Sequence, residues 1–199
     1  MLKTALLLIG IVIVPSSRAA DYELLLEDPD IFAPCTEKPP GSIGFTDAFN
    51  IDNLVIDQDS DIIHLSENLT ATWDVEPTDR ISGRFAVMHY NRGSWEPTLF
   101  TLATADFCAA MFDENLSWYK YWTKYISNRE EVEKNCFNTR GTVLMHKPFD
   151  MQLRLKDIRG TSLQGRYKIV VHFEAFDEKD TPRNPSICFE IRGEAEKIK

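Results

Sequence analysis

From Ile63 to Val75 the chain alternates apolar and polar residues, with Ile63, Leu65, Leu69, Ala71, Trp73 and Val75 set against His64, Ser66, Asn68, Thr70, Thr72 and Asp74. A period of two sends successive side chains to opposite faces, so this stretch reads as a strand with one buried and one wet face. Glu67 is the single break. Such a strand needs neighbours beside it and a second layer over its apolar face, and the sequence supplies both. Phe149, Met151, Leu153 and Leu155 alternate without interruption with Asp150, Gln152, Arg154 and Lys156. Tyr167, Ile169, Val171, Phe173 and Ala175 form a further inward row, while Val170 and Phe176 imply that the opposite face is partly covered.

Arg84–Tyr90 and Trp95–Leu102 flank "NRGS" and read as a hairpin with a four-residue connection, in which Asn91 and Gly93 tolerate positive backbone angles. Pro97 marks an edge or a bulge, because proline donates no hydrogen bond to a ladder. Tyr22–Glu27 and Ser186–Arg192 read as opening and closing strands.

Between Thr104 and Glu133 the period changes. At 100° per residue, Trp118, Tyr119, Tyr121, Trp122, Tyr125 and Ile126 share one arc and Ser117, Lys120 and Lys124 face away, the pattern of an amphipathic helix that Asp113 or Asn115 can cap. The expected fold is therefore mainly β, an antiparallel two-sheet sandwich or β-cup with a short helical insert around 104–133.

Lys3 precedes an apolar run from Ala5 to Val14, and Pro15, Ser17 and Ala19 follow in signal-peptide order, so residues 1–19 read as an export signal cleaved after Ala19. The run is well short of the roughly 20 residues that a spanning helix requires. Residues 20–199 then suit one secreted domain. The whole chain carries a formal charge of -9, and loss of Lys3 and Arg18 takes it to -11, which repels phosphate backbones and makes nucleic acid an improbable partner.

The four cysteines are an even set in an exported chain, and oxidising compartments pair such thiols. Three connectivities are open. Cys108 and Cys136 bracket the helical insert while Cys35 and Cys188 lie near opposite ends, which favours Cys108–Cys136 with Cys35–Cys188. No close C-x-x-C spacing suggests structural zinc. Asp57, Asp59 and Asp61 imitate a calcium loop, but Ile62 stands where glycine is required and Asn68 where glutamate is; no metal and no cofactor is expected. His64, His89, His146 and His172 are scattered without H-E-x-x-H, Ser94 lies outside a G-x-S-x-G elbow, and paired cysteines leave no thiol nucleophile. A non-enzymatic protein is expected. Asn68-Leu69-Thr70 and Asn115-Leu116-Ser117 are N-glycosylation triplets.

The supply of large rings exceeds what one short insert and its facing strands need as filler. The inward rows and the helix are expected to enclose a dry cavity walled by Trp73, Phe85, Phe100, Trp118, Trp122, Phe149, Leu153 and Phe173, with the helix as lid.

"DPDIFAPC", "TWDVEPTDR", "RGSWEPTLF", "DFCAAMFDENLSWYKYWTKYI" and "CFEIRGE" resemble the insect CheA chemosensory proteins, a secreted family related to the ganglioside activators and the ML lipid-recognition proteins. The likeness runs from about Tyr22 to Glu194. It implies a β-cup around an apolar cavity, expression in taste or smell bristles, and a part in perceiving pheromones or other lipid-like cues. This chain has fewer cysteines than the ganglioside activators, so their full disulfide frame does not transfer, nor do individual ligand residues. Two functions follow as expectations. One is a carrier of a hydrophobic small molecule or lipid, and the other is an extracellular module that modulates a membrane receptor or channel without carrying a ligand.

Overall fold

The computed structural model describes residues 19–27, 31–59, 61–160 and 162–198. The expected export signal, residues 1–19, lies outside the described residues apart from Ala19. In chain order the elements are β1 (Ala20–Leu26), β2 (Ala33–Pro34), α1 (Phe45–Ala48), β3 (Phe49–Asn50), β4 (Leu54–Asp59), β5 (Ile62–Ala71), β6 (Arg80–Asn91) and β7 (Ser94–Thr104). After them come α2 (Phe107–Ala110), α3 (Ser117–Tyr121), a 3-10 turn (Thr123–Tyr125), α4 (Arg129–Asn135), β8 (Val143–Met151), β9 (Arg154–Ile158), β10 (Gly165–Phe176) and β11 (Ile187–Lys197).

Two antiparallel sheets form, as the alternation requires. The larger runs β7-β6-β10-β11-β1-β9, with β2 also on β11. In the smaller, β5 pairs with β3, β4 and β8. The inward rows meet in one main cluster that contains Leu69, Ala71 and Trp73 from the β5 side and Val171, Phe173 and Ala175 from β10. The helical insert adds Phe107, Met111, Trp118 and Val132 to the same cluster. Trp73 is fully buried, and its indole N–H donates to the Pro185 carbonyl at 2.8 Å, so its one polar atom is satisfied.

Both favoured disulfides are present, Cys35–Cys188 and Cys108–Cys136. Glu67, the break in the first alternation, sits at φ 74 where the β5–β8 register shifts. That is a bulge whose extra residue falls on β8, since Leu65 pairs with Phe149 and Glu67 with His146, so β8 changes its inward parity while β5 keeps its own. Pro97 lies on β7, an edge strand whose register with β6 shifts between Ala86 and Met88.

The structure corrects four local expectations. The hairpin connection is two residues rather than four, since Asn91 pairs with Ser94, and the residues at positive φ are Arg92 (48°) and Gly93 (94°). The alternation from Phe149 to Lys156 is not one strand. β8 ends at Met151 in the smaller sheet, the Leu153 carbonyl accepts from Leu24, and β9 continues in the larger sheet. The chain turns a corner between sheets there, and the inward row does not survive it, since Leu155 on β9 is 48% exposed. The aromatic helix is broken, with α3 giving way at Trp122 to the 3-10 turn. Neither Asp113 nor Asn115 caps it, because the N-cap position falls on Leu116 and the Asp113 carboxylate instead accepts from the backbone and side-chain N–H groups of Asn115.

The outer face of the larger sheet is covered in part, as Val170 and Phe176 implied. Lys168 and Glu190 are paired there at 2.7 Å with only 3% and 1% of their side chains exposed. Thr36 donates to the Glu190 carboxylate through its backbone N–H and hydroxyl, and Arg192 donates from the other side. Burial works to raise the Glu190 carboxyl, but hydrogen bonds from Lys168, Thr36 and Arg192 outweigh it and hold the group below its ordinary value.

Candidate functional site

Seven of the eight expected wall residues lie inside, but they do not surround one space. Trp73, Phe85, Trp118 and Phe173 belong to the main cluster, ring against ring: Phe85 stacks on Trp118 at 5.1 Å, and Phe107 lies 5.2 Å from Trp118 and 4.9 Å from Phe173. These rings fill the centre. Trp122, Phe149 and Leu153 gather instead round a second apolar cluster of Ile63, Leu65 and Phe149, joined by Leu54, Ile56, Tyr125 and Met151. Phe100 is the correction: it is 62% exposed. It follows Thr98 in the bulged stretch opposite Val87, where the Thr98 hydroxyl donates to the Val87 carbonyl and accepts the Phe100 N–H, so the alternation that pointed it inward fails there.

Trp122 is half-buried and packs against both clusters. The insert is fastened under it by short-range bonds to β8. Ser127 donates from its backbone to the Met145 carbonyl at 2.7 Å, the Asn128 amide accepts from the Met145 N–H at 3.0 Å, and the same amide donates to the Val143 carbonyl at 2.8 Å. Thr123 is buried and donates to the Met111 carbonyl. Tyr125 stacks flat on Phe149, 3.8 Å between centroids.

These contacts seat one polar ring in the apolar seam. His146, on β8 between Leu144 of the main cluster and Phe149 of the second, is 5% exposed and meets the Trp122 ring edge-on at 4.7 Å. Neither ring nitrogen has a hydrogen-bond partner. Burial pushes its pKa down to about 4, outweighing an opposite pull from the backbone of Glu67 and Leu144, neither of which reaches hydrogen-bond geometry. The ring is therefore neutral at physiological pH, with one N–H and one lone pair unmatched. Sequence reasoning saw His146 only as one of four scattered histidines; counted back from Phe149, strict alternation puts it on the opposite face, and the register shift opposite Leu65–Glu67 is what brings it inward.

Elsewhere, Asp61 of the acidic turn accepts from Arg154 at 2.6 Å and from Gln152 at 3.1 Å. His172 lies 3.2 Å from the Ser186 hydroxyl and 3.8 Å from Glu174. That row resembles a nucleophile with its base, yet Ser186 is 7% exposed and its carbonyl is bonded to the Ile43 N–H in a packed seam, out of reach of a substrate. Asn115 is exposed just ahead of α3, and Asn68 is half-buried on β5. Among the described residues, no helix is long and apolar enough to cross a membrane. The two disulfides fit an oxidising environment. No protein-family model matches the chain, and no curated protein matches it.

Proposed function

We propose that the protein is a secreted, non-enzymatic carrier of lipid-like hydrophobic ligands that serves chemosensory perception, in taste or pheromone detection. The observation that carries this reading is the seam at Trp122: a second apolar cluster beside a filled core, roofed by half-buried rings and holding a buried polar group with nothing to bind. Small-molecule sites have this composition, apolar walls with very few placed polar atoms. Burying apolar area contributes about 25 cal/mol per Å², enough for an acyl chain to bind without a charged anchor. The export signal, the two disulfides and the glycosylation triplets at Asn68 and Asn115 support an extracellular setting, and the resemblance to CheA proteins supports the sensory one.

Trp122 makes the test direct. Titrating the mature, disulfide-intact protein with fatty acids, cuticular hydrocarbons and glycolipids should change its tryptophan emission at micromolar ligand. No change with any of them, and no binding by equilibrium dialysis, would remove the carrier reading. The interaction module would then stand in its place. That second reading is supported by edge strand β7, where Leu99 is 100% and Phe100 62% exposed, an apolar strip suited to a receptor or channel surface.

A further inference from the structure

His146 is the ionisable one among three buried residues, with Asn138 and Thr142, whose side chains keep an unmatched polar atom among the described residues. The other buried ionisable side chains among the described residues are matched: Asp79 pairs with Arg183 at 2.8 Å, and Lys168 pairs with Glu190 at 2.7 Å. His146 is as buried as these and has no partner for either nitrogen. Leaving a buried polar group unmet costs about 1–3 kcal/mol, and a phenyl ring would fill the same space without that cost. The position of the ring narrows what could meet it. It packs edge-on against Trp122, which is half-buried and lies at the irregular junction of α3 and the 3-10 turn. Phe149, 6.3 Å from it between ring centroids, belongs to the second cluster with the purely apolar Ile63 and Leu65.

We infer that His146 is the polar anchor of the ligand site and selects a ligand with a hydroxyl head group on an unbranched apolar tail. The inference rests on the carrier reading. A neutral imidazole presents its donor and its acceptor on opposite edges of the ring, too far apart for one oxygen to reach both, but a hydroxyl can meet either of them, accepting from the N–H or donating to the bare nitrogen. The tail then runs along Phe149 towards Ile63, Leu65 and Leu153, and Trp122 with Tyr125 must swing aside to admit it. A plain hydrocarbon meets the same walls but leaves His146 unmatched. Sites built to hydrogen-bond a group discriminate strongly against the analogue that lacks it, because the site's own polar atoms stay unpaired.

The test compares hexadecanol with hexadecane, two probes that differ in the hydroxyl alone, by tryptophan fluorescence on the mature disulfide-intact protein. Wild type should bind hexadecanol at least about tenfold more tightly. In His146→Phe that ratio should collapse towards one, with the melting curve showing the variant folded. As a readout independent of any variant, the imidazole nitrogen resonances of His146 in the wild type should move when hexadecanol is added and stay when hexadecane is added. Equal affinity for the two probes, a preference that survives in His146→Phe, or unmoved resonances would overturn the anchor and leave the carrier standing. Binding of neither probe, nor of any other lipid, would overturn the carrier reading and this inference together.

Discussion

His146 gives the protein a pH signature of its own. Its folded-state pKa is about 4, below the ordinary 6.5, so between those values the unfolded chain takes up a proton that the native ring refuses. Stability contributed by the neutral ring is complete above pH 6.5 and is lost as pH falls towards 4, at about 1.4 kcal/mol per unit and about 3 kcal/mol in all. His172 acts in the same direction, because burial lowers its pKa as well. Glu27 and Asp177, whose pKa values are held down by hydrogen bonds, oppose unfolding until lower pH, since their contributions are lost only below the ordinary carboxylate range. Denaturant midpoints measured from pH 7 to 5 should therefore fall in the wild type and fall much less in His146→Phe. An identical slope in both would mean that the ring is not buried neutral. None of this was readable beforehand: a lone histidine in an alternating strand looks the same whether its face is met by water, a partner or rings.

The elements were legible where periodicity and environment agreed. β5 and β10 carry their apolar rows where the alternation places them, and Pro97 marked the irregular edge strand because proline donates no hydrogen bond to a ladder. The failures share a cause. Periodicity reports which face a residue takes, and says nothing of which sheet it joins, so the corner between β8 and β9 was invisible. It also assumes unbroken geometry, which Thr98–Phe100 and the chain at Trp122 do not keep. The hairpin turn was misplaced because arginine is a poor residue for positive φ, yet Arg92 adopts it. The insert, made of segments of four, five and seven helical residues, is too short to hold by helix propensity. Its order depends on Cys108–Cys136, which closes a separation of 28 residues, and on the Asn128 bonds to β8. Replacing both cysteines by alanine should cost about 3.5 kcal/mol and raise amide exchange through 107–135 while leaving β10 and β11 protected. Uniform loss of protection across the sheets would show that the insert is part of the global unfolding unit.

At the scale of the whole molecule, the two sheets share a core, and one covalent bond joins the segment after β2 to the last strand of the larger sheet. Cys35–Cys188 spans 153 residues, and on the unfolded-chain entropy argument it should contribute about 5 kcal/mol, against about 3.5 for the shorter loop. Its effect reaches further than loop closure. Cys35 precedes Thr36, whose backbone and hydroxyl satisfy the Glu190 carboxylate, so the bond also holds the cover over the Lys168–Glu190 pair. Freed from it, Thr36 can leave, and Glu190 would keep its burial with fewer donors, a costly state for a charge. The variant Cys35→Ala/Cys188→Ala should therefore lose more stability than Cys108→Ala/Cys136→Ala in urea titrations. It should also lose it cooperatively, with one transition by far-UV and tryptophan signals, because the outer face and the core are two sides of the same strands. The reverse order of the two variants would show that the cover docks without its disulfide, and that the helical insert is what holds the sheets together.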